Sequence, residues 1–325
     1  MKKINWSSPD IVSKKIVFVD GLARSGKSLI GPIVSSFSKT YPLQHQILID
    51  NLIPLLANNS ITKTACKTLV GLFLNQNIYY LNISRCINLR PGDNSSIIKD
   101  KNYKTFLKNL KINEGDYIID KIKKDNFLPI FMSHDLLSYA HCLEKINLNF
   151  KMIYVLRNPV DNIYSFFSKY DKRYEKEKYN LNNPRFFSLS VKKNKKLLPY
   201  YAYKNSNYFL KLNNAEKAAY YYLHSMKKSI SSYKKIKNKK SKILLVRFDD
   251  MTQDHFKTLN KFSKFLRLKK SKHTNKTLKN EKVPRKKDLR ITMKKKEILR
   301  KVIRPSIFKQ LEKYETFYNK NSLFK

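Results

Sequence analysis

Glycine is scarce in this chain: six residues in 325, alongside eleven prolines, three cysteines and one tryptophan. So little glycine and proline excludes a collagen-like or linker-dominated chain. The cysteines, Cys66, Cys86 and Cys142, show no metal-ligand spacing and cannot all pair with one another. A reduced, cytoplasmic setting suits them best. No stretch approaches the ~20 apolar residues of a membrane-spanning helix. The opening MKKINWSSPD has two lysines but no apolar run behind them, so no secretory signal is expected. Acidic residues are also few, 24 against 68 lysines and arginines, leaving a net charge of +44. What is present in quantity is hydrophobic residues, 42%, with aromatics at 13%. That is enough to bury a sizeable core, which excludes wholesale disorder.

The excess charge is carried by 56 lysines and only 12 arginines, spread over most of the chain. Compositional bias towards Lys, Asn, Ile and Tyr accounts for such a pattern. An acidic ligand remains open. Proteins that read bases or phosphates lean on arginine, so no specific nucleic-acid partner is expected. Non-specific adhesion to polyanions is expected of any protein this basic.

Strand and helix patterns alternate along the chain. Short β-branched apolar runs at 15–20, 46–50, 128–133, 151–156 and 242–248 read as strands. Helical spacing follows at 29–37, 62–80, 114–126, 136–146, 159–170, 213–236 and 252–268, with Pro159 at a first helical position and Thr252 as an N-cap. The alternation predicts an α/β fold: a P-loop-type parallel sheet with helices on both faces, over residues 1–267. Residues 175–212, rich in Lys, Tyr and Asn, read as an insert or lid. Residues 268–290 read as a basic flap or linker, and 291–325 as C-terminal helices packing on the same domain.

Gly21-Leu22-Ala23-Arg24-Ser25-Gly26-Lys27-Ser28 fits G-x-x-x-x-G-K-[ST] at every fixed position, between a strand and a helix. The glycines let successive N–H groups turn inward, and the helix N-terminus adds partial positive charge. Arg24 and Lys27 add full charges, and the result is a phosphate cradle. A P-loop kinase or NTPase would set Lys27 on the outer phosphates and Ser28 on Mg²⁺, with a carboxylate from a nearby strand end. Asp249 and Asp250 come late for that role and read better as structural or helix-capping carboxylates.

A second motif, Arg157-Asn158-Pro159-Val160-Asp161-Asn162-Ile163-Tyr164-Ser165, follows the clearest strand. Here the chain resembles the PAPS-dependent sulfotransferases, which share an apolar strand ending in Arg, an x-Pro-x-Asp turn and a helix with Ser eight residues after the Arg. The resemblance implies that Arg157 and Ser165 hold the 3′-phosphate of the sulfate donor. It also implies that Arg24, Ser25, Gly26 and Ser28 take the 5′-side, with Lys27 a second cation. Ile243–Met251 and the helix after it are similar to the family's late strand and helix. PAPS is then the donor, and no metal is expected.

Sulfuryl transfer needs a base for the acceptor's proton and positive charge at the departing phosphate. The resemblance implies His134, at the end of the third strand, as base. Asp50 is its rival, and equally suits a helix N-cap. Residues 261–301 hold 18 basic and three acidic residues. Within them Arg285-Lys286-Lys287 is similar in place to an Arg-Lys-Gly segment that folds over the 3′-phosphate in many cytosolic sulfotransferases, which implies Arg285 as a donor contact; the alternative is a solvated basic flap. Tyr200, Tyr201 and Tyr203 are candidates to line an acceptor cleft. The acceptor is a hydroxyl or amine of a carbohydrate, lipid or small molecule. A P-loop kinase and a non-enzymatic polyanion binder are the competing readings.

Overall fold

The computed structural model describes residues 7–45, 47–174, 189–193, 195–286 and 288–324. The central sheet is built from β1 (Ile16–Asp20), β2 (Gln44–His45), β3 (Ile130–Met132), β4 (Phe150–Leu156) and a last strand at Ile243–Arg247. Between the last two lies an antiparallel hairpin, β5 (Ser190–Lys193) and β6 (Lys196–Pro199), so the last strand is β7. All five sheet strands run parallel in the order β2-β3-β1-β4-β7. Val19 of β1 stands opposite both Met132 of β3 and Ile153 of β4. The carboxyl ends of these three strands therefore open onto one edge of the sheet.

Helix α1 (Lys27–Ser35) links β1 to β2. Four helices precede β3: α2 (Ile47–Ala57), α3 (Lys63–Asn82), α4 (Tyr103–Asn109) and α5 (Tyr117–Asp125). A 3-10 turn at Leu136–Tyr139 and α6 (His141–Lys145) lead into β4, and α7 (Pro159–Tyr174) leaves it. After the hairpin come α8 (Ser206–Leu210), α9 (Asn214–Lys235) and α10 (Lys239–Lys242). Beyond β7 lie α11 (Phe248–Gln253), α12 (His255–Leu266), α13 (Lys272–Asn280), α14 (Leu289–Val302) and α15 (Pro305–Asn319).

The central strands are apolar on both faces, as a covered parallel sheet requires. Val17 and Val19 of β1 bury against Leu29 and Ile33 of α1, Phe262 of α12 and Leu278 of α13. Ile16 and Phe18 look the other way, into a larger core with Ile53 of α2, Leu74 of α3, Ile163 of α7, Tyr222 of α9 and Leu311 of α15. The C-terminal helices are tied in by charge as well. Asn213 and Glu216 form a capping box at the start of α9, and Glu216 also accepts from Arg304 Nε at 2.6 Å and Nη2 at 2.9 Å. Hydrogen bonding from Arg304 holds the Glu216 carboxyl below its usual range. Asp161 of α7 accepts from Lys295 Nζ at 2.6 Å and Thr292 Oγ1 at 3.2 Å, pinning α14.

Four segments depart from expectation. The expected strand at 46–50 is only Gln44–His45, and Ile47 onward is α2, because Ile49, Leu52, Ile53 and Leu56 recur at helical spacing. The helix expected over 252–268 is two, α11 and α12. Asp254 caps the second by accepting from Lys257 N at 3.3 Å, whereas the Thr252 hydroxyl bonds back to Phe248 O and Asp249 O. The expected flap at 268–290 holds α13, capped by Ser271 and docked on α1 through Leu278 and a Ser36–Thr274 hydroxyl bond of 3.1 Å. Of the expected insert, 175–188 lies outside the described residues. Its remainder buries Leu198, Ala202 and Phe209 in the larger core.

Candidate active site

The turn after β1 is shaped by two close approaches. A Cβ on Gly21 would meet the carbonyl oxygen of Val155 at 2.7 Å, and one on Gly26, at φ +100°, would meet the Phe248 ring at 2.2 Å. Between them Ser25 N bonds Leu22 O at 3.1 Å, and Ala23 N donates to the Tyr221 hydroxyl at 3.1 Å. Among the described residues, the amides of Gly26, Lys27 and Ser28 donate to no protein acceptor. They sit at the N-terminus of α1, where the helix dipole adds positive potential. The Ser25 hydroxyl is buried without a partner. Lys27 is 3% exposed and its ammonium donates to Leu22 O at 2.9 Å. Burial pulls its pKa down, opposed by the carboxylates of Asp135, Asp20 and Asp50.

Arg157 leaves the carboxyl end of β4 and comes to the same place. Its Nη1 donates to Arg24 O at 2.9 Å, and its guanidinium lies 5.1 Å from the centre of the Phe248 ring. Arg24 in turn donates from Nε to Ser165 Oγ at 3.0 Å, and Asn162 Nδ2 donates to Ala23 O at 3.1 Å. The two motifs, more than a hundred residues apart in sequence, are thus one constellation. Asp161, four residues after Arg157, accepts instead from α14. Burial lowers the pKa of Arg157, but a guanidinium stays charged throughout the working range. Among the described residues its other N–H groups bond no protein acceptor. Ser28 is exposed, on the first turn of α1.

His134 and Asp50, expected as rivals, are partners. The His134 backbone N–H donates to Asp50 Oδ2 at 2.9 Å, and His134 Nδ1 lies 3.4 Å from the same oxygen. His134 is half-exposed; Asp50 is largely buried, in the first turn of α2. Burial, with the nearby Asp20 carboxylate, raises the Asp50 pKa well above the usual carboxylate range. A neutral imidazole oriented by Asp50 through Nδ1 presents Nε2 as a proton acceptor.

Arg285 is exposed and lies apart from this bonding. Its backbone N–H bonds Thr252 O at 2.8 Å, and its guanidinium donates to Lys282 O and Glu281 O. Asp249 and Asp250 begin α11, where Asp250 pairs with Arg247 at 3.1 Å and Asp249 lies against Tyr318. Tyr200 and Tyr201 pack with Tyr139, Phe209 and Tyr221, and Tyr203 is exposed.

Sequence reasoning missed five residues of the site. Phe248 walls both Gly26 and Arg157, and Asn162 fastens α7 to the loop. Asp20 is fully buried and accepts from Ser133 Oγ, Leu136 N and Leu137 N, so it shapes the turn after β3. A carboxylate closing an apolar strand directly before a glycine turn was the available signal. Asp135 and Tyr221 join that turn to the loop, and nothing in their local sequence announces it. Among the described residues no group of three or more His, Cys, Asp or Glu is arranged to hold a metal ion.

A strand-turn-helix with free amides, flanked by a second strand's guanidinium, is an arrangement suited to phosphate in an α/β protein. The chain belongs to the sulfotransferase domain family, whose model matches residues 15–323. It is therefore a member of a transferase family. The sequence matches none of the curated proteins with which it was compared. Among solved structures it is similar to the sulfotransferase domain of the olefin synthase from Synechococcus PCC 7002, at 16% identity over 83% of this chain and 80% of that one, TM-score 0.41. It is also similar to sulfotransferase STF1 from Mycobacterium tuberculosis H37Rv, at 10% identity over 87% and 76%, TM-score 0.41. Sulfotransferase STF9 from Mycobacterium avium follows at 9% over 83% and 68%, TM-score 0.41. No helix among the described residues is long and apolar enough to cross a membrane.

Proposed function

We propose that the protein transfers a sulfuryl group from PAPS to a hydroxyl or amine of a carbohydrate, lipid or small-molecule acceptor, releasing PAP. The observation that carries this reading is the junction of Arg157 and Ser165 with the glycine loop through Arg24. It gives two cationic ends about one loop, as a donor with phosphates on both sides of its ribose requires. The residues fit such a donor on their own chemistry: three amides without protein acceptors, and a buried Ser25 hydroxyl without a partner.

PAPS, when bound, supplies the activated sulfuryl group. Every other role falls to the chain. The amides of Gly26, Lys27 and Ser28, with Arg24 and Lys27, stabilise negative charge on the 5′-side. Arg157 and Ser165 take the 3′-phosphate by charge-assisted hydrogen bonds. His134 Nε2 receives the acceptor's proton as its oxygen or nitrogen attacks sulfur, and Asp50 holds the residue in place through the His134 N–H and its contact at Nδ1.

Calorimetry with PAP, ADP and Mg²⁺-ATP tests the reading. We expect PAP to bind at least tenfold more tightly than ADP without Mg²⁺. Equal affinities would sink the donor assignment, and tighter Mg²⁺-ATP binding would favour a P-loop kinase. Labelled sulfate transferred from PAPS into a lysate, followed by product size and solubility, would then identify the acceptor class.

A further inference from the structure

The loop that holds the amides is itself held by a side chain from a helix nearly 200 residues away. Tyr221, on α9, accepts the Ala23 N–H at 3.1 Å and donates its own proton to Asp135 Oδ2. Burial raises the phenol's pKa well above its ordinary value, so it keeps the proton that this chain of bonds needs. Asp135 lies in the turn after β3 with φ +58°, a conformation that Asp and Asn tolerate better than most residues. Its backbone N–H bonds Gly21 O at 3.3 Å. Two links therefore run between the turns after β1 and β3, one through backbone and one through Tyr221.

A third contact reaches the Ser165 helix. The Tyr221 ring stacks on Phe166, with centroids 5.2 Å apart and planes inclined by 22°. Phe166 is the residue after Ser165, which accepts from Arg24. Tyr221 thus touches the loop, the turn after β3 and the helix that carries Ser165 at once. Asp135 is also the leading opposite charge offsetting the burial of Lys27.

We propose that Tyr221 and Asp135 are a positioning pair for the anion-binding loop. By engaging the Ala23 N–H they fix the turn in the conformation that leaves the next amides, Gly26 to Ser28, for the anion and lets Arg24 reach Ser165. Neither residue touches the reacting atoms. The identity of the ligand rests on the proposed function, but the pair is inferred from the loop's own bonds and suits any phosphate-bearing ligand.

The test uses the full chain, with pyrophosphate as probe of the loop and PAP as probe of the whole site. Tyr221→Phe keeps the ring stack and removes the hydroxyl. It should weaken both probes about tenfold, the loss expected for one hydrogen bond. It should raise KM for PAPS similarly while leaving kcat within about threefold, a split that general loosening of the fold would not give. Asp135→Gly, which accepts the positive φ, should weaken pyrophosphate to the same degree, and Asp135→Asn, which keeps an acceptor oxygen, should restore it. The pair acting as a unit also requires that Tyr221→Phe adds little to Asp135→Gly. Unchanged pyrophosphate affinity in Tyr221→Phe, additive losses, or no rescue by Asn would overturn the proposal. Should Tyr221→Phe fail to fold, the Gly and Asn variants decide by the same readout. Where PAP binds no better than ADP yet pyrophosphate still follows Tyr221, the donor assignment falls and the pair stands.

Discussion

The turns after β1 and β3 leave neighbouring strands in register, yet they are held in place by opposite means. The first, residues 21–26, is fixed by close packing of its glycines and by uncharged and cationic partners: a glycine against Val155 O, another against Phe248, an amide to Leu22 O, the Tyr221 hydroxyl on the Ala23 N–H, and guanidinium bonds from Arg157 and to Ser165. Its charges are Arg24, Lys27 and Arg157. The second, residues 133–135, is fixed by carboxylates: Asp20 beneath it, Asp50 on the His134 N–H, and Asp135 within it. Sheet order separates them laterally, because β1 lies between β3 and β4. Cationic groups gather on the β1–β4 side and proton acceptors on the β3 side. Such a division suits a transfer in which one partner leaves as an anion while the other gives up a proton. It also means that damage at Arg157 and damage at His134 should be separable, although Asp135 joins the two turns through Tyr221.

The largest separation should come from His134→Ala set beside Arg157→Ala. Loss of a general base removes about 10²–10⁴ from kcat, and the bonds that link the turn after β3 to the glycine loop run through Asp135 and Tyr221 and do not use the imidazole. PAP affinity measured by calorimetry should therefore stay within about twofold of the parent protein. Arg157→Ala should do the reverse, weakening PAP roughly 10- to 100-fold, as expected for a hydrogen-bonded charge on phosphate. Lys at 157 should recover only part of this, since an ammonium lacks the planar fork. If His134→Ala lost donor binding as heavily as Arg157→Ala, the division of the site would be wrong.

Gly26→Ala addresses the cationic side alone. A methyl group there meets the Phe248 ring at 2.2 Å in a backbone conformation that alanine resists. Left-handed strain and overpacking together should cost about 2–4 kcal/mol of stability, read by denaturant unfolding. Phe248 also lies over Arg157, so PAP binding should fall with it. Adding Phe248→Leu should return some of the lost stability by clearing the ring, but not the part due to φ. Full recovery would mean that the glycine is needed for space only.

These two sides were not equally visible in the amino-acid sequence. The glycine loop and the Arg157–Ser165 stretch could be found because each is compact in sequence and sits where an apolar strand gives way to a helix. The sheet and its covering helices were visible for the same reason: β4 and α9 carry long, consistent patterns. The β3 side was only half visible. His134 and Asp50 could be named, but not paired, since the apolar run of three residues at 47–49, closed by Asp50, reads as strand until the spacing through Leu56 is included. Asp135 and Tyr221 depend on a contact across 86 residues, which no local pattern encodes. Composition misled at 268–290, where lysines hide a helix whose apolar contact is narrow: of its side chains only Thr274, Thr277 and Leu278 are buried. Arg285, singled out by resemblance to a family segment, donates its guanidinium to carbonyls of its own stretch, Lys282 O and Glu281 O.

The carboxylate side has a further consequence, smaller and readable without any ligand. Burial raises the Asp135 pKa from 3.8 to about 7, and Asp20 and Asp50 move in the same direction. Between those two values the folded chain keeps a proton at Asp135 that the unfolded chain has released. Stability therefore falls as pH rises through roughly 4 to 7 on account of this group. It levels off once Asp135 is ionised in both states. On the cationic side the sign is opposite: burial lowers the Lys27 pKa, so its contribution makes stability rise with pH up to its ordinary value of 10.5. Asp135→Asn removes one of the three carboxyls while preserving the positive φ. Its thermal midpoint should drop less between pH 5 and pH 8 than that of the parent protein, by a few degrees. Parallel midpoint curves for the two proteins would show that Asp135 titrates alike in the folded and unfolded chain, and that the turn after β3 is no more costly to charge than the loop beside it.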